Sequence, residues 1–251
     1  MEAFSELLCG VPEDNLFELK NVINNMKLKL DLYTDKILEY DWEVESIDTE
    51  IPFYARNVLE TSLTVLLGRS DPFRVVTVYK VQSSPSYDIG KRSKSAIEWS
   101  GDIIAKSKAT NLWDFNNGKE SFDRALLSNY QGEILWKPGF SALSDYIEHH
   151  EITDDWIDEI LSEDENSNFE KCKRLSSKLF SAFSKGVHSE SLVDISLMYD
   201  VVTVKTLIKD LYKLCAILGL VSHFIGVMKP SISVEDAIIK FCEVEALINE
   251  L

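Results

Sequence analysis

After Pro12, apolar residues recur in steps of three and four at Leu16, Leu19, Ile23, Met26, Leu30, Tyr33, Ile37 and Tyr40. That spacing keeps them on one side of a helix and predicts a long amphipathic helix over 12–40. Its seam packs along its own domain. A coiled-coil or dimer seam is the alternative, although the two tyrosines suit a broader bundle. A second helix is predicted from Pro52 to Arg69, with Phe53, Leu59, Leu63, Leu66 and Leu67 as its apolar stripe. Asp71-Pro72 supplies an N-cap followed by proline at the first helical position and starts a third helix to Val81. The β-branched run Val75-Val76-Thr77-Val78 makes a strand the competing reading there.

Ser83–Gly90 reads as a turn-rich linker and Ser93–Ala105 as a fourth helix carrying Trp99. Asn111–Phe140 is less regular, with Trp113, Trp136, the turn signals Asn117-Gly118 and Pro138-Gly139, and a short helix over Glu120–Ser128. Ser141–Leu161 reads as one or two acidic helices with Leu143, Tyr146, Ile147, Trp156 and Ile160 inward, and Ser162–Asn168 as a polar loop. Phe169–Gly186 is helical, with Leu175, Leu179, Phe180 and Phe183 on one face. Ile195–Val227 is the central core helix. Ser233 and Asp236 form a capping box for a last helix, Val234–Ile248.

The pattern predicts an all-α, multi-helix bundle with a long N-terminal amphipathic helix. Residues 1–50 carry that helix, which packs on a bundle formed by 51–251, with a possible subdivision near 111–140. Only 6 Pro and 10 Gly in 251 residues agree with long uninterrupted elements. The apolar run Leu214–Met228 is too short to span a bilayer and reads as a buried helix. The start MEAFSELLCG lacks the basic residues and apolar run of a signal peptide. The four cysteines, Cys9, Cys172, Cys215 and Cys242, are scattered without paired spacing. Reduced thiols in a cytoplasmic protein that does not enter a membrane are therefore expected.

Charge adds polarity to this picture. The net formal charge is -16, which opposes non-specific binding to nucleic acid. From Ala55 to Thr110, however, nine cations (Arg56, Arg69, Arg74, Lys80, Lys91, Arg92, Lys94, Lys106 and Lys108) stand against five acids. From Pro138 to Glu170 there are eleven acids and no Lys or Arg. A basic face and an acidic face are expected. Candidate partner-binding residues are Asp154, Asp155, Asp158 and Glu159 on the acidic side. Arg69, Arg74, Lys91 and Arg92 are their counterparts on the basic side. The Arg56–Lys108 segment is also the place where phosphates could be met.

No segment carries a P-loop, a metal-ligand pattern or a nucleophile–base pairing, and no cofactor is expected. His149-His150 lies among Asp145, Glu148 and Glu151, but adjacent helical ligands diverge by about 100°, so a solvated acidic face is expected. His223, among Leu220, Val221, Phe224 and Ile225, reads as a core histidine bonded to a backbone carbonyl. His188 follows Ser184-Lys185-Gly186-Val187 at the end of a helix, where the helix dipole favours a cation.

That Ser-Lys-x-Val-His ending resembles the HEPN superfamily of helical domains. So do the preceding long helices, one carrying Ala55-Arg56-Asn57-Val58-Leu59-Glu60, and the apolar helix that follows. The resemblance covers Pro52–Met228 and implies a helical bundle. It also implies either an Arg/His ribonuclease or a non-catalytic partner-binding domain in systems such as prokaryotic toxin and antiviral defence. The family's arginine would fall at position 181, 182 or 183, which here are Ser181, Ala182 and Phe183; Lys178 and Arg174 lie too early. A ribonuclease would have to use His188 with Lys185 or Arg56, and lysine does not reproduce a bidentate guanidinium clamp. The expected function is thus a non-enzymatic helical interaction or accessory subunit of a multi-protein system, binding an ATPase, a nuclease subunit or itself. A HEPN-type ribonuclease toxin and an acidic DNA-mimic inhibitor are the alternatives.

Overall fold

The computed structural model describes residues 2–11, 17–43, 50–88, 90, 96–106, 124–161, 164–187 and 200–251. Among them the regular structure is all helical, with one isolated bridge between Ser100 and Ile104 and no strand ladder. In chain order the helices are α1 (Glu2–Cys9), α2 (Phe17–Leu38), α3 (Glu50–Ser70), α4 (Pro72–Gln82), α5 (Asn129–Gln131), α6 (Lys137–His150), α7 (Asp155–Leu161), α8 (Glu165–Val187), α9 (Val201–Ser222) and α10 (Val234–Asn249). No helix among the described residues is long and apolar enough to cross a membrane.

The core is a single cluster of buried side chains reaching from Phe4 to Ile248. The α2 seam turns inward: Leu19, Ile23, Met26, Leu30 and Ile37 are buried, and α2 lies along α3. Tyr33 is half-buried and stacks on Tyr54 of α3 at 6.1 Å. The seam is therefore occupied within the chain; Leu16 lies outside the described residues. Helix α9 is the most enclosed element, with Leu211, Tyr212, Cys215, Leu218 and Val221 all fully buried.

Local signals explain where several helices start. Asp71 accepts from Arg74 N, and Pro72 opens α4, so the β-branched run 75–78 is helical rather than a strand. Asp200 caps α9 through Thr203 N, and Ser233 caps α10 through Asp236 N. Helix α8 begins at Glu165, inside the expected polar loop, because Asp164 accepts from Asn166 N and Ser167 N.

Other expectations are corrected. Helix α1 was not foreseen; it is eight residues long and ends at Gly10, whose φ of 61° suits glycine at a helix C-terminus. Phe53, assigned to an inward stripe, is 45% exposed. The segment 96–104 is not a helix. Ser100 is extended and Gly101 has φ 116°, so Trp99–Ile103 forms a wide turn closed by Ile104 N donating to Trp99 O. Residues 124–127 are non-helical, and α5 starts only after Ser128 accepts from Gln131 N. Pro138-Gly139 is not a turn but lies in the first turn of α6, where proline is tolerated. Gly139 is needed there because a Cβ would come within 2.8 Å of Ile225. Helix α9 stops at Ser222 instead of Val227. Trp113, Asn117-Gly118, most of the expected 120–128 helix, Ile195 and the side chain of Ile160 lie outside the described residues.

Candidate functional site

Two regions answer to the expected site residues. The first is the C-terminal part of α8. Arg56 on α3 donates from Nη1 to Ser184 Oγ at 2.8 Å and pairs through Nε with Glu60 at 3.0 Å. Its guanidinium carbon lies 4.5 Å from the centre of the Phe180 ring, and Trp99 stacks on that ring at 4.0 Å and 10°. The loop carrying Trp99 is fixed by Asp102, which accepts from Glu98 N and pairs with Arg74 at 2.6 Å. Leu126 N and Leu127 N donate to the carbonyls of Asp102 and Ile103. Arg56 thus meets the helical turn that carries Lys185, which is exposed. His188 lies outside the described residues. The guanidinium is already committed to a carboxylate, a hydroxyl and a π face.

The expected basic face is largely consumed in the same way. Arg74 pairs with Asp102, Lys80 with Glu18 at 2.5 Å, and Lys106 with Glu98 at 3.2 Å. Lys91, Arg92, Lys94 and Lys108 lie outside the described residues. Arg69 is not a surface residue at all: its exposure is 0%. It donates from Nε to Pro230 O at 2.7 Å and from Nη1 to Leu8 O at 2.8 Å and Ser222 Oγ at 2.6 Å. No carboxylate is among these partners. The compensation comes instead from two carbonyl oxygens, one of them near the C-terminal end of α1, and from the Ser222 hydroxyl at the end of α9. Burial lowers the Arg69 pKa to about 10, which leaves it charged at neutral pH.

His223 completes this node as the core histidine expected from the sequence. Nε2 lies 2.7 Å from Leu7 O, an acceptor, whereas Nδ1 faces two donors, Ile232 N and Arg69 Nη2, each at 3.3 Å. These partners fix the neutral tautomer with the proton on Nε2. Burial, reinforced by Arg69, holds its pKa down to about 3.

The second region is the acidic edge. Helix α6 ends with Glu151 in the left-handed conformation at φ 50°, and α7 follows. Asp154 Oδ1 accepts from Trp156 N and Ile157 N, both at 3.0 Å, and caps α7. Trp156 and Ile157 face the core, with Trp156 edge-on to Phe241 of α10 at 6.0 Å. Lys213 of α9 lies over the Trp156 ring and pairs with Glu159. Asp155 and Asp158 are exposed, as is Glu159. Asp154 therefore works inward and its three neighbours outward. On α10, Glu245 is buried, and burial, then the nearby Asp154, raises its pKa from the usual 4.5 to about 7, a perturbed carboxylate that sequence reasoning missed. The available signal was a carboxylate at helical stripe spacing between Phe241 and Ile248.

The remaining titratable candidates are structural. His149 and His150 are exposed, and His150 stacks on Tyr146 at 4.0 Å. Among the described residues no group of three or more His, Cys, Asp or Glu is arranged to hold a metal ion. The cysteines are free thiols, and burial pushes each up to about 12, so none supplies a thiolate near neutral pH. No protein-family model matches this chain, and no significant similarity to a curated protein or to a solved structure is found.

Proposed function

We propose that this protein is a non-enzymatic helical interaction subunit whose acidic edge, centred on α7, docks a basic partner protein. The observation carrying this reading is the division of labour within α7. Trp156 and Ile157 anchor it, and Asp155, Asp158 and Glu159 point outward from that anchored element. Charges held in register on a packed support speed encounter with an oppositely charged surface and select among partners. An ATPase or nuclease subunit of a prokaryotic defence system is the partner class that the HEPN-like ending of α8 suggests. The test is co-expression with the products of neighbouring genes, followed by native purification and a salt series. A stoichiometric complex is expected that weakens as salt rises and is lost in the Asp155→Lys/Asp158→Lys variant. A protein that stays alone throughout, or a complex indifferent to both salt and charge reversal, overturns the proposal.

The Arg56–Ser184 bond of 2.8 Å favours a ribonuclease as second reading, because it sets a guanidinium on the turn before Lys185 and His188. Growth arrest and RNA cleavage on expression, both abolished by His188→Ala, are its expected signs. RNA that stays intact after prolonged expression removes it.

A further inference from the structure

Arg56, Arg69, Arg74, Lys80 and Lys106 are engaged in ion pairs or buried hydrogen bonds, but a second basic surface runs along α8. From Lys171 to Val187 there are five cations, Lys171, Lys173, Arg174, Lys178 and Lys185, and no acid. The inward face of this stretch is set by Cys172, Ser176, Leu179 and Phe183, all buried where α8 packs on α3, α6 and α9. The helical period then sends Lys171, Arg174, Ser177, Lys178, Ser181 and Lys185 outward, and all of them are exposed. Lys171 to Lys185 spans about 21 Å of helix axis, the length of about six base pairs of a duplex. We propose that this stripe is a docking surface for the phosphate backbone of a nucleic-acid duplex, recognised by charge and not by sequence.

The chemistry of the stripe selects this occupant. Among the described side chains of α8, the exposed positions from Lys171 onward carry cations and hydroxyls and no apolar or aromatic group. A protein partner would need an apolar centre to dock on, because interfaces depend on buried aromatic and aliphatic anchors. A single strand would need open rings on which to stack its bases. The rings at this end of α8 are already engaged: Phe180 stacks on Trp99 at 4.0 Å and lies 4.5 Å from the Arg56 guanidinium. A duplex backbone asks for fixed cations with hydroxyl donors between them, which the stripe supplies on a packed helix.

The neighbouring acids leave the stripe positive. Lys178 pairs with Asp210 of α9 at 3.4 Å, yet its side chain stays 64% exposed. Lys173 is turned to Asn129 and Glu170 and is not part of the outward face. Glu60 of α3 pairs with Arg56. The net charge of -16 acts only weakly here at physiological salt, since fields are screened over about 8 Å.

Fluorescence anisotropy of the whole protein with a labelled DNA duplex of arbitrary sequence, about 20 base pairs long, tests this. Contact with about four phosphates predicts a log–log slope of affinity on salt of about -3.6, a loss of roughly 150-fold between 50 and 200 mM. Arg174→Gln/Lys178→Gln should make that slope shallower by about 2, one unit for each phosphate contact removed. Lys80→Gln/Lys106→Gln, on cations already paired, should leave it unchanged. A single strand of the same length should bind the parent protein more weakly than the duplex. Absence of duplex binding at 50 mM salt and roughly 100 μM protein overturns the proposal. So does a slope that the α8 variant keeps in full, or a single strand held more tightly than the duplex. An acidic protein that binds the stripe where the duplex does not also overturns it, and assigns α8 to a protein partner.

Discussion

Replacing Arg69 by methionine keeps an unbranched apolar stem and removes the guanidinium that ties α3 to the ends of α1 and α9 and to the Pro230 carbonyl. The carbonyls of Leu8 and Pro230 then lose donors at 2.8 and 2.7 Å. An orphaned buried acceptor costs about 1–3 kcal/mol. Two other partners lose less, because Ser222 Oγ keeps its bond to Gly219 O and His223 Nδ1 keeps the Ile232 N–H. In the opposite direction, methionine removes the cost of desolvating a buried charge that has no carboxylate partner, which recovers part of the loss. The balance is a destabilisation of roughly 2–4 kcal/mol, or a melting temperature lowered by roughly 5–15 °C for a domain of this size. Denaturant unfolding followed by circular dichroism reads it directly, as a shift in midpoint at unchanged slope. Arg69→Lys is the informative control. Lysine keeps the charge but has no planar fork to reach Leu8, Pro230 and Ser222 together, so it should fall well short of the parent. A methionine variant within about 0.5 kcal/mol of the parent refutes the clamp. A lysine variant of full stability shows instead that charge alone, not the fork of hydrogen bonds, does the work.

Acid should act through the neighbour of that clamp. His223 is held at about 3 in the folded protein against 6.5 for an ordinary histidine, so the unfolded chain binds the proton first as pH falls. Its contribution is complete above about pH 6.5 and is lost towards pH 3, at about 1.4 kcal/mol per pH unit within that window. His223→Gln should flatten the difference in unfolding free energy between pH 4 and pH 6; an unchanged slope in that variant assigns the effect elsewhere. Gly132 lies between α5 and α6, where a Cβ would come within 2.4 Å of the Phe169 ring. Gly132→Ala should therefore cost about 1–3 kcal/mol in thermal unfolding, with part of it returned by adding Phe169→Leu; an alanine variant that melts with the parent contradicts this packing.

The helices that could be read from the sequence are those whose apolar spacing and end signals agree. Helices α2, α3 and α4, α8 and α10 fall close to their predicted spans because a stripe such as Leu19–Ile37 or a cap such as Ser233 is local information. The segment around Trp99 could not be read so. Its conformation depends on Gly101 at φ 116° and on Asp102 meeting Arg74 from another helix. Helix α1 is only eight residues long, too short to hold itself in water, and exists through its contacts with α9 and α10.

Charge was the least legible property, and Arg69 shows why. By composition a lone arginine at the end of an amphipathic helix belongs on the surface, and the acid nearest in sequence, Asp71, caps α4 and pairs with Arg124 instead of with Arg69. Its partners are the Leu8 and Pro230 carbonyls and Ser222 Oγ, which meet it only because of where α1 and α9 stop, at Cys9 and Ser222. A helix terminus leaves carbonyls without intrahelical partners, and only the tertiary arrangement decides whether water or a side chain serves them. Glu245 presents the same problem with the sign reversed. Its helical spacing places it at a core position, but the burial and the nearby Asp154 that raise its pKa come from parts of the chain far away in sequence. In both cases the role of an ionisable group is set by tertiary neighbours, so a count of charges along the chain cannot tell a docking residue from a clamp.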